Sequence, residues 1–341
     1  MPKKITLFAS LSLLAALAAC QNQEWVFPDY AYQATYFAYQ SPVRTITLGE
    51  DIFDTSLDNE HKCKIMATTG GVYDNKNDVV IDIDLDNSLV AGLQFKEDGS
   101  AIRAMPATHF ELLSDQIVIP KGEMTGGVEV QLTDAFFADP LALKNTYVIP
   151  LRMSDVTNAD SILSGTPLVA EPRRGVTADW SVQPKDYILY AVKYVNPWHG
   201  FYLRRGQDLI EREGGETNTV VRHAAYVEYD EVNALVTQGL NEVSFPLVFK
   251  DAEGYNVDCT LTLTFEGDGN CTVSSAVENV TATGRGTFVK RGEKNSWGEK
   301  DRDALYLSYE IEAGALYVTA TDTLVLRDRG VAFETFTPIA E

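Results

Sequence analysis

The residue with the most readable chemistry is Cys20. It follows Leu17-Ala18-Ala19 at the end of an apolar and small-residue run from Ile5 to Ala19, and Lys3 and Lys4 precede that run. Basic residues, a short apolar stretch and small residues before a cysteine make a secretory signal with a lipobox, and the run is too short to cross a bilayer as a mature helix. Residues 1–19 are therefore expected to be a cleaved lipoprotein signal peptide, with the Cys20 thiol diacylated. Each buried methylene of such a lipid contributes roughly 0.8 kcal/mol, enough together to hold the chain on a membrane. Residues 20–40, polar with interleaved aromatics such as Trp25 and Tyr36, read as lipid anchor and tether.

No other group of residues has comparable definition. Asp82-x-Asp84-x-Asp86 places carboxylates at the first, third and fifth positions of a calcium loop, but Asn87 stands where the turn glycine belongs and Leu93 where a bidentate glutamate is required. As a glycosidase motif it lacks a terminal general-acid glutamate, and an all-β chain lacks the catalytic barrel that would follow. His61, His109, His199 and His223 have no metal-ligand spacing, and there is no Gly-x-Ser-x-Gly elbow. No metal, no cofactor and no enzymatic activity are expected. Cys63, Cys259 and Cys271 are an odd count that cannot form a complete internal disulfide set, and Cys259 and Cys271, at unequal distances from the turn at Gly267-Asp268-Gly269, are read as small buried apolar residues before a bridge.

Aromatics in polar company are the remaining candidates. A flat ring can stack on the apolar face of a sugar while neighbouring Asp, Asn or Arg satisfy its hydroxyls. Trp297 lies in a loop where every neighbour from Lys290 to Arg302 is polar or glycine, and either packs in a turn or offers such a platform with Asn295 beside it. Trp180, between Asp179 and Ser181, is a weaker candidate of the same kind. Trp198, in Asn196-Pro197-Trp198-His199-Gly200, is read first as sealing a joint between domains and kept as a ligand candidate.

The elements that must carry these residues are strands. Val43 to Leu48, Val79 to Leu85, Gln116 to Pro120 and Val128 to Leu132 alternate apolar and polar residues between Gly, Pro and Asn, the pattern of half-buried strands. Tyr147 to Met153 adds another, in which Pro150 indicates an edge or a bulge. Short helices are expected at Asp134 to Leu143 and at Glu231 to Gly239. Residues 41–155 thus form an Ig-like antiparallel β-sandwich, 156–185 a linker or long loop, and 186–341 a C-terminal antiparallel β-barrel or β-sandwich of about eight strands. Asp186 to Val195 is its strong first strand, broken by Asn196 to Gly200.

Charge narrows the partners. The chain has 28 basic and 49 acidic residues, a formal charge of −21, and losing Lys3 and Lys4 with the signal takes it to −23. That balance repels nucleic acid, which is excluded as a partner.

The segments Asp82-Ile83-Asp84, Gln116 to Pro120 and Leu141 to Leu151 resemble an Ig-like domain of unknown function found in Bacteroidetes lipoproteins, which also precedes the barrel of some family-18 endoglycosidases. Trp198-His199-Gly200-Phe201-Tyr202, Gly284-Arg285-Gly286-Thr287-Phe288 and Thr323 to Gly330 are similar to a β-rich domain often fused to it. The resemblance implies an outer-membrane, lipid-anchored cell-surface protein that binds or presents glycan beside an outer-membrane transporter complex. Two alternatives fit the same residues: an assembly lipoprotein that binds another envelope protein, and a small-molecule carrier in a closed C-terminal barrel.

Overall fold

The computed structural model describes residues 29–212 and 215–341, and Cys20 with its signal lies outside them. The N-terminal unit is a sandwich of two sheets. One has the order Ser161–Ile162, Ala34–Tyr36, Lys62–Gly70, Thr125–Leu132, Phe110–Leu112; the other runs Glu334–Thr335, Pro42–Thr47, Tyr187–Val195, Tyr147–Thr157, Val79–Leu85, Gln116–Ile119. Alternation does what the period implies: Cys63, Ile65 and Ala67 from one sheet meet Ile81, Ile83, Ile117 and Ile119 from the other in one core. Asp82 faces outward and accepts from the Gln116 side-chain amide at 2.7 Å, while Asp86 caps the short 3-10 turn Asn87–Val90. Leu85, grouped with the inward residues by its spacing, is exposed at the strand end.

Four expectations are corrected. Tyr187–Val195 does not open the C-terminal domain; it is hydrogen-bonded between Tyr147–Thr157 and Pro42–Thr47. Its run is apolar from Tyr187 to Val192 because both faces are covered. Ile188, Tyr190 and Val192 join the core between the sheets, and Tyr187, Leu189 and Ala191 join a second cluster with Leu93, Phe95, Ile102 and Phe336. The sandwich is also not wholly antiparallel, since Pro42–Thr47 runs parallel to Tyr187–Val195. Pro150 sits in an interior strand, not an edge or bulge. Its nitrogen faces the side on which Val79–Leu85 has ended, and its carbonyl accepts from Asp86 N–H at 3.0 Å. Finally, Glu231–Gly239 is a strand, although the expected helical segment Asp134–Ala138 followed by Pro140–Leu143 is present.

The C-terminal unit is a closed eight-strand antiparallel barrel. Its strands are Gly200–Arg212, Glu231–Gly239, Glu242–Phe245, Leu261–Phe265, Asn270–Ser274, Val280–Glu293, Arg302–Ala313 and Leu316–Asp328, and the last pairs with the first from Phe201↔Asp328 to Glu211↔Tyr317. Eight strands enclose an interior that side chains can fill, and Tyr202, Leu235, Phe245, Leu261, Leu307 and Val318 fill it. Large residues need small ones opposite. A Cβ on Gly286 would come within 2.4 Å of Leu307 Cδ2, and one on Gly284 within 2.6 Å of Tyr309 Cβ. After the barrel the chain returns to the sandwich, where Glu334–Thr335 pairs with Pro42–Val43 and Pro338–Ala340 with Leu93–Phe95.

Candidate functional site

The site is built by the joint between the two units. Asn196, fully buried, ends the last sandwich strand: its Oδ1 accepts from the Trp198 and His199 amides, and its Nδ2 donates to the carbonyls of Gly239 and Glu242 on the barrel, both at 2.9 Å. Arg329 rivets the other side. Its guanidinium donates to the carbonyls of Leu48 and Glu50 from the sandwich and of Asn196 and His199 from the connection, at 2.6 to 3.1 Å. Those four acceptors keep a buried cation hydrogen-bonded without a carboxylate, and burial lowers its proton affinity from the usual arginine value. His199 is held neutral: burial, then the nearby positive charge of Arg329 and Lys193, pushes its pKa down to about 4, and its Nδ1 accepts from Thr237 N–H. Trp198 stacks flat on Phe265, 4.0 Å between centroids, and packs against the barrel core.

Beside this joint lies a cleft of about 570 Å³ whose walls come from the sandwich loop at 50–53, the barrel loop at 291–303 and the chain at 326–331. Trp297 lines it, half-buried, with the Arg302 guanidinium 4.5 Å from its ring centroid and Arg302 Nε donating to the Trp297 carbonyl at 2.9 Å. That clamp holds the indole at the cleft wall. Glu50 bridges the two units by accepting from Lys290 at 2.8 Å and Arg291 at 3.3 Å, and the Lys290 hydrogen bond holds its carboxyl below the ordinary glutamate range. The lining carries five acids, Glu50, Asp51, Asp301, Asp303 and Asp328, against five bases, Arg291, Lys300, Arg302, Arg327 and Arg329. In a chain of formal charge −21 this balance is local, and it supplies donors and acceptors of both kinds without a strong field. Phe53 and Val331 also line an adjoining, mainly apolar hollow of about 560 Å³, together with Tyr39, Met66 and Phe333. Tyr39 and Phe333 rings meet there at 5.1 Å.

The structure separates the residues that the sequence groups together. Asn295 shares the loop of Trp297 but turns the other way: it is left-handed (φ 44°), its N–H donates to Asp301 Oδ1, and it lines a different hollow. Trp180 is 7% exposed and offers no platform. Its Nε1 donates to the Arg173 carbonyl at 2.9 Å, and Arg174 lies 5.9 Å from its ring centroid while paired with Asp186, so its polar neighbours are its packing partners. Phe53, Tyr39 and Phe333 escaped the sequence reading. Their signal was an apolar pair, Ile52-Phe53, set between Asp51 and Asp54, and an isolated Phe333 beyond the last barrel strand.

Among the described residues that line the cleft, none pairs a nucleophile with a base. His109 is bonded to Asp139, His223 to Arg205, and His61 packs on Phe137. The three described cysteines are free and buried, and burial pushes the thiols up to about 12, 11 and 12 for Cys63, Cys259 and Cys271, so they stay protonated. Among the described residues no group of His, Cys, Asp or Glu is placed to hold a metal.

A second feature lies inside the barrel. Arg204 donates to both oxygens of Asp322 at 3.0 Å and to the Tyr309 hydroxyl at 3.1 Å, and Tyr309 donates to Asp322 at 2.7 Å. Arg222 pairs with Asp208 and reaches Asp322 at 2.7 Å. Burial, reinforced by the Asp322 charge, pushes the Tyr309 hydroxyl well above its usual value. Two guanidinium groups against two carboxylates make a self-neutralised network.

These features define a class: a two-domain, all-β protein in which a sandwich and a filled barrel are riveted together beside a cleft. A domain of unknown function (DUF5627) matches residues 197–330, the barrel, and an N-terminal-domain profile matches residues 30–160 of the sandwich. A crystal structure of a protein of unknown function from Bacteroides ovatus is 46% identical, covering 91% of this chain and 99% of that one, with a TM-score of 0.88; this chain belongs to its family. A multidomain protein from the same organism has 14% identity over 88% of this chain and 97% of its own, with a TM-score of 0.44. An auxiliary nutrient binding protein from Bacteroides thetaiotaomicron has 13% identity over 83% of this chain and 90% of its own, with a TM-score of 0.37. Similarity that loose carries no functional argument. No curated protein matches the chain.

Proposed function

We propose that this protein is a non-catalytic, lipid-anchored envelope protein of the outer membrane that binds glycan in the cleft between its domains, beside an uptake complex. The observation that carries the reading is the Trp297 ring, clamped by Arg302 in the wall of a charge-balanced cleft rich in both donors and acceptors. A sugar needs an apolar face and surrounding hydrogen-bond partners, and this cleft offers both. The lipobox at Cys20 supports the membrane anchor, and the filled barrel interior leaves the carrier alternative without the lumen it requires. Affinity electrophoresis and calorimetry of the body from residue 21 against plant, host and microbial glycans test the reading. Trp297→Ala is expected to weaken binding about tenfold or more with the fold intact, whereas Trp180→Phe leaves it unchanged. No binding anywhere in a broad panel shifts the weight to an envelope-protein partner, for which the apolar hollow of Tyr39, Met66 and Phe333 is the candidate surface.

A further inference from the structure

The Trp297 loop has two sides, and only one faces the cleft between the domains. On the other side lies a hollow of about 700 Å³ on the barrel flank, lined by Arg205, Tyr226, Glu228, Glu293, Asn295 and Thr323 among others. Consecutive residues divide between the two: Trp297 lines the first cavity and Gly298 the second, and along the strand Leu316–Asp328, Thr323 and Val325 line the second while Leu326 and Arg327 line the first. The loop and the adjoining end of that strand therefore form the wall between them.

We infer that this loop is a ridge straddled by an extended, neutral oligosaccharide, with Trp297 on one side and Tyr226 forming a second sugar subsite on the other. The inference rests on the glycan reading above and names the ligand's length and charge. Tyr226 is 67% exposed, yet its ring is held edge-on to Tyr229 at 6.1 Å and 78°, an ordered aromatic surface open to solvent. The polar groups around it have room for hydroxyls. Asn295 uses its backbone N–H on Asp301, leaving the side-chain amide exposed at the crest, and Glu293 accepts the Tyr306 hydroxyl at 2.8 Å. Charge sets the class. Arg205 is already paired with Asp230 and Lys294 with Asp301, so the hollow presents the acids Glu228, Glu293 and Glu299 without a free cation among its described lining residues. Uronic-acid or sulfated chains are repelled there, and neutral chains are not.

Calorimetry with neutral oligosaccharide series of the cellulose, xylan, mannan, starch and chitin types, each from monosaccharide to hexasaccharide, tests this on the protein from residue 21 with Tyr226→Ala and Trp297→Ala beside it. Affinity is expected to climb with chain length. Tyr226→Ala should remove about a tenfold gain that only the longer members enjoy, and Trp297→Ala should weaken every length. Binding that is independent of length, or a length gain untouched by Tyr226→Ala, overturns the ridge and leaves the glycan site standing. Tighter binding of a uronate chain of equal length overturns the assignment of charge. Failure of every series to bind the unmutated protein overturns the glycan reading and this inference with it.

Discussion

Between its sheets the sandwich packs Ile46, Ile65, Ile81, Ile117 and Ile119; the barrel interior sets Arg204, Asp208 and Asp322 among Tyr202, Phe245 and Leu307. The first interior is held by removing hydrocarbon from water, at roughly 25 cal/mol per Å². The second contains ions that must satisfy one another. A hydrocarbon core degrades in proportion to what is cut away, whereas a buried ionic network fails when a single partner is lost, because the others remain charged and dry.

The contrast can be broken most forcefully at Asp322. Asp322→Ala takes from Arg204 its two-oxygen partner and leaves two guanidinium groups against the single carboxylate of Asp208, and chemical denaturation should show a loss of about 3–5 kcal/mol; replacing Arg204, Asp208, Arg222 and Asp322 together with Leu or Met should cost far less. If the combined variant is as unstable as the single one, the network is not self-contained. Next in size is Arg329→Met, which keeps the stem and removes the donors to four carbonyls. It should cost about 2–3 kcal/mol and split a single calorimetric transition into separate melting of sandwich and barrel. Ile65→Val, a single methylene from the sandwich, should cost only about 1 kcal/mol.

Acid gives the effect with the sharpest sign. His199 has a folded pKa of about 4 against an ordinary value near 6.5, so between those values the unfolded chain binds a proton that the joint refuses. Its contribution is complete above about 6.5, declines as the pH falls through that window, and is gone below 4. His199→Gln, which still offers an acceptor to Thr237 N–H, should flatten that part of the stability profile; an unchanged slope would assign it to carboxylates elsewhere.

What could be read in the sequence follows the same division. Val79–Leu85, Gln116–Ile119 and Thr125–Leu132 announce themselves because one face meets the core and the other meets water. Tyr187–Val195 was assigned to the wrong unit because a strand covered on both faces has no alternation to orient it, and its parallel partner, Pro42–Thr47, lies far back in the chain. Glu231–Gly239 looked helical because its inward set is only Asn233, Leu235 and Thr237, two of them polar. The ionic network left a mark that went unread: Asp322 holds an inward position in the series Leu316, Val318, Ala320, Asp322, Leu324, where a charge must have a partner. At the site, Trp297 was visible from its polar neighbours. Trp180 also has polar neighbours and is buried, since composition cannot tell polar residues that leave a ring at the surface from polar residues that cover it.

The return of the chain to the sandwich after the barrel reverses the order in which the two units can be finished during synthesis. The barrel is one uninterrupted stretch and has all its strands once Asp328 has emerged, although it is made second. The sandwich, made first, waits for Glu334–Thr335 and Pro338–Ala340 to cover Pro42–Thr47 and Leu93–Phe95. A chain stopped after Gly330 should therefore release a closed barrel beside a sandwich with one bare edge, detectable by protease cleavage confined to the first hundred residues or so. The segment that follows the barrel thus acts as the latch for the domain that precedes it.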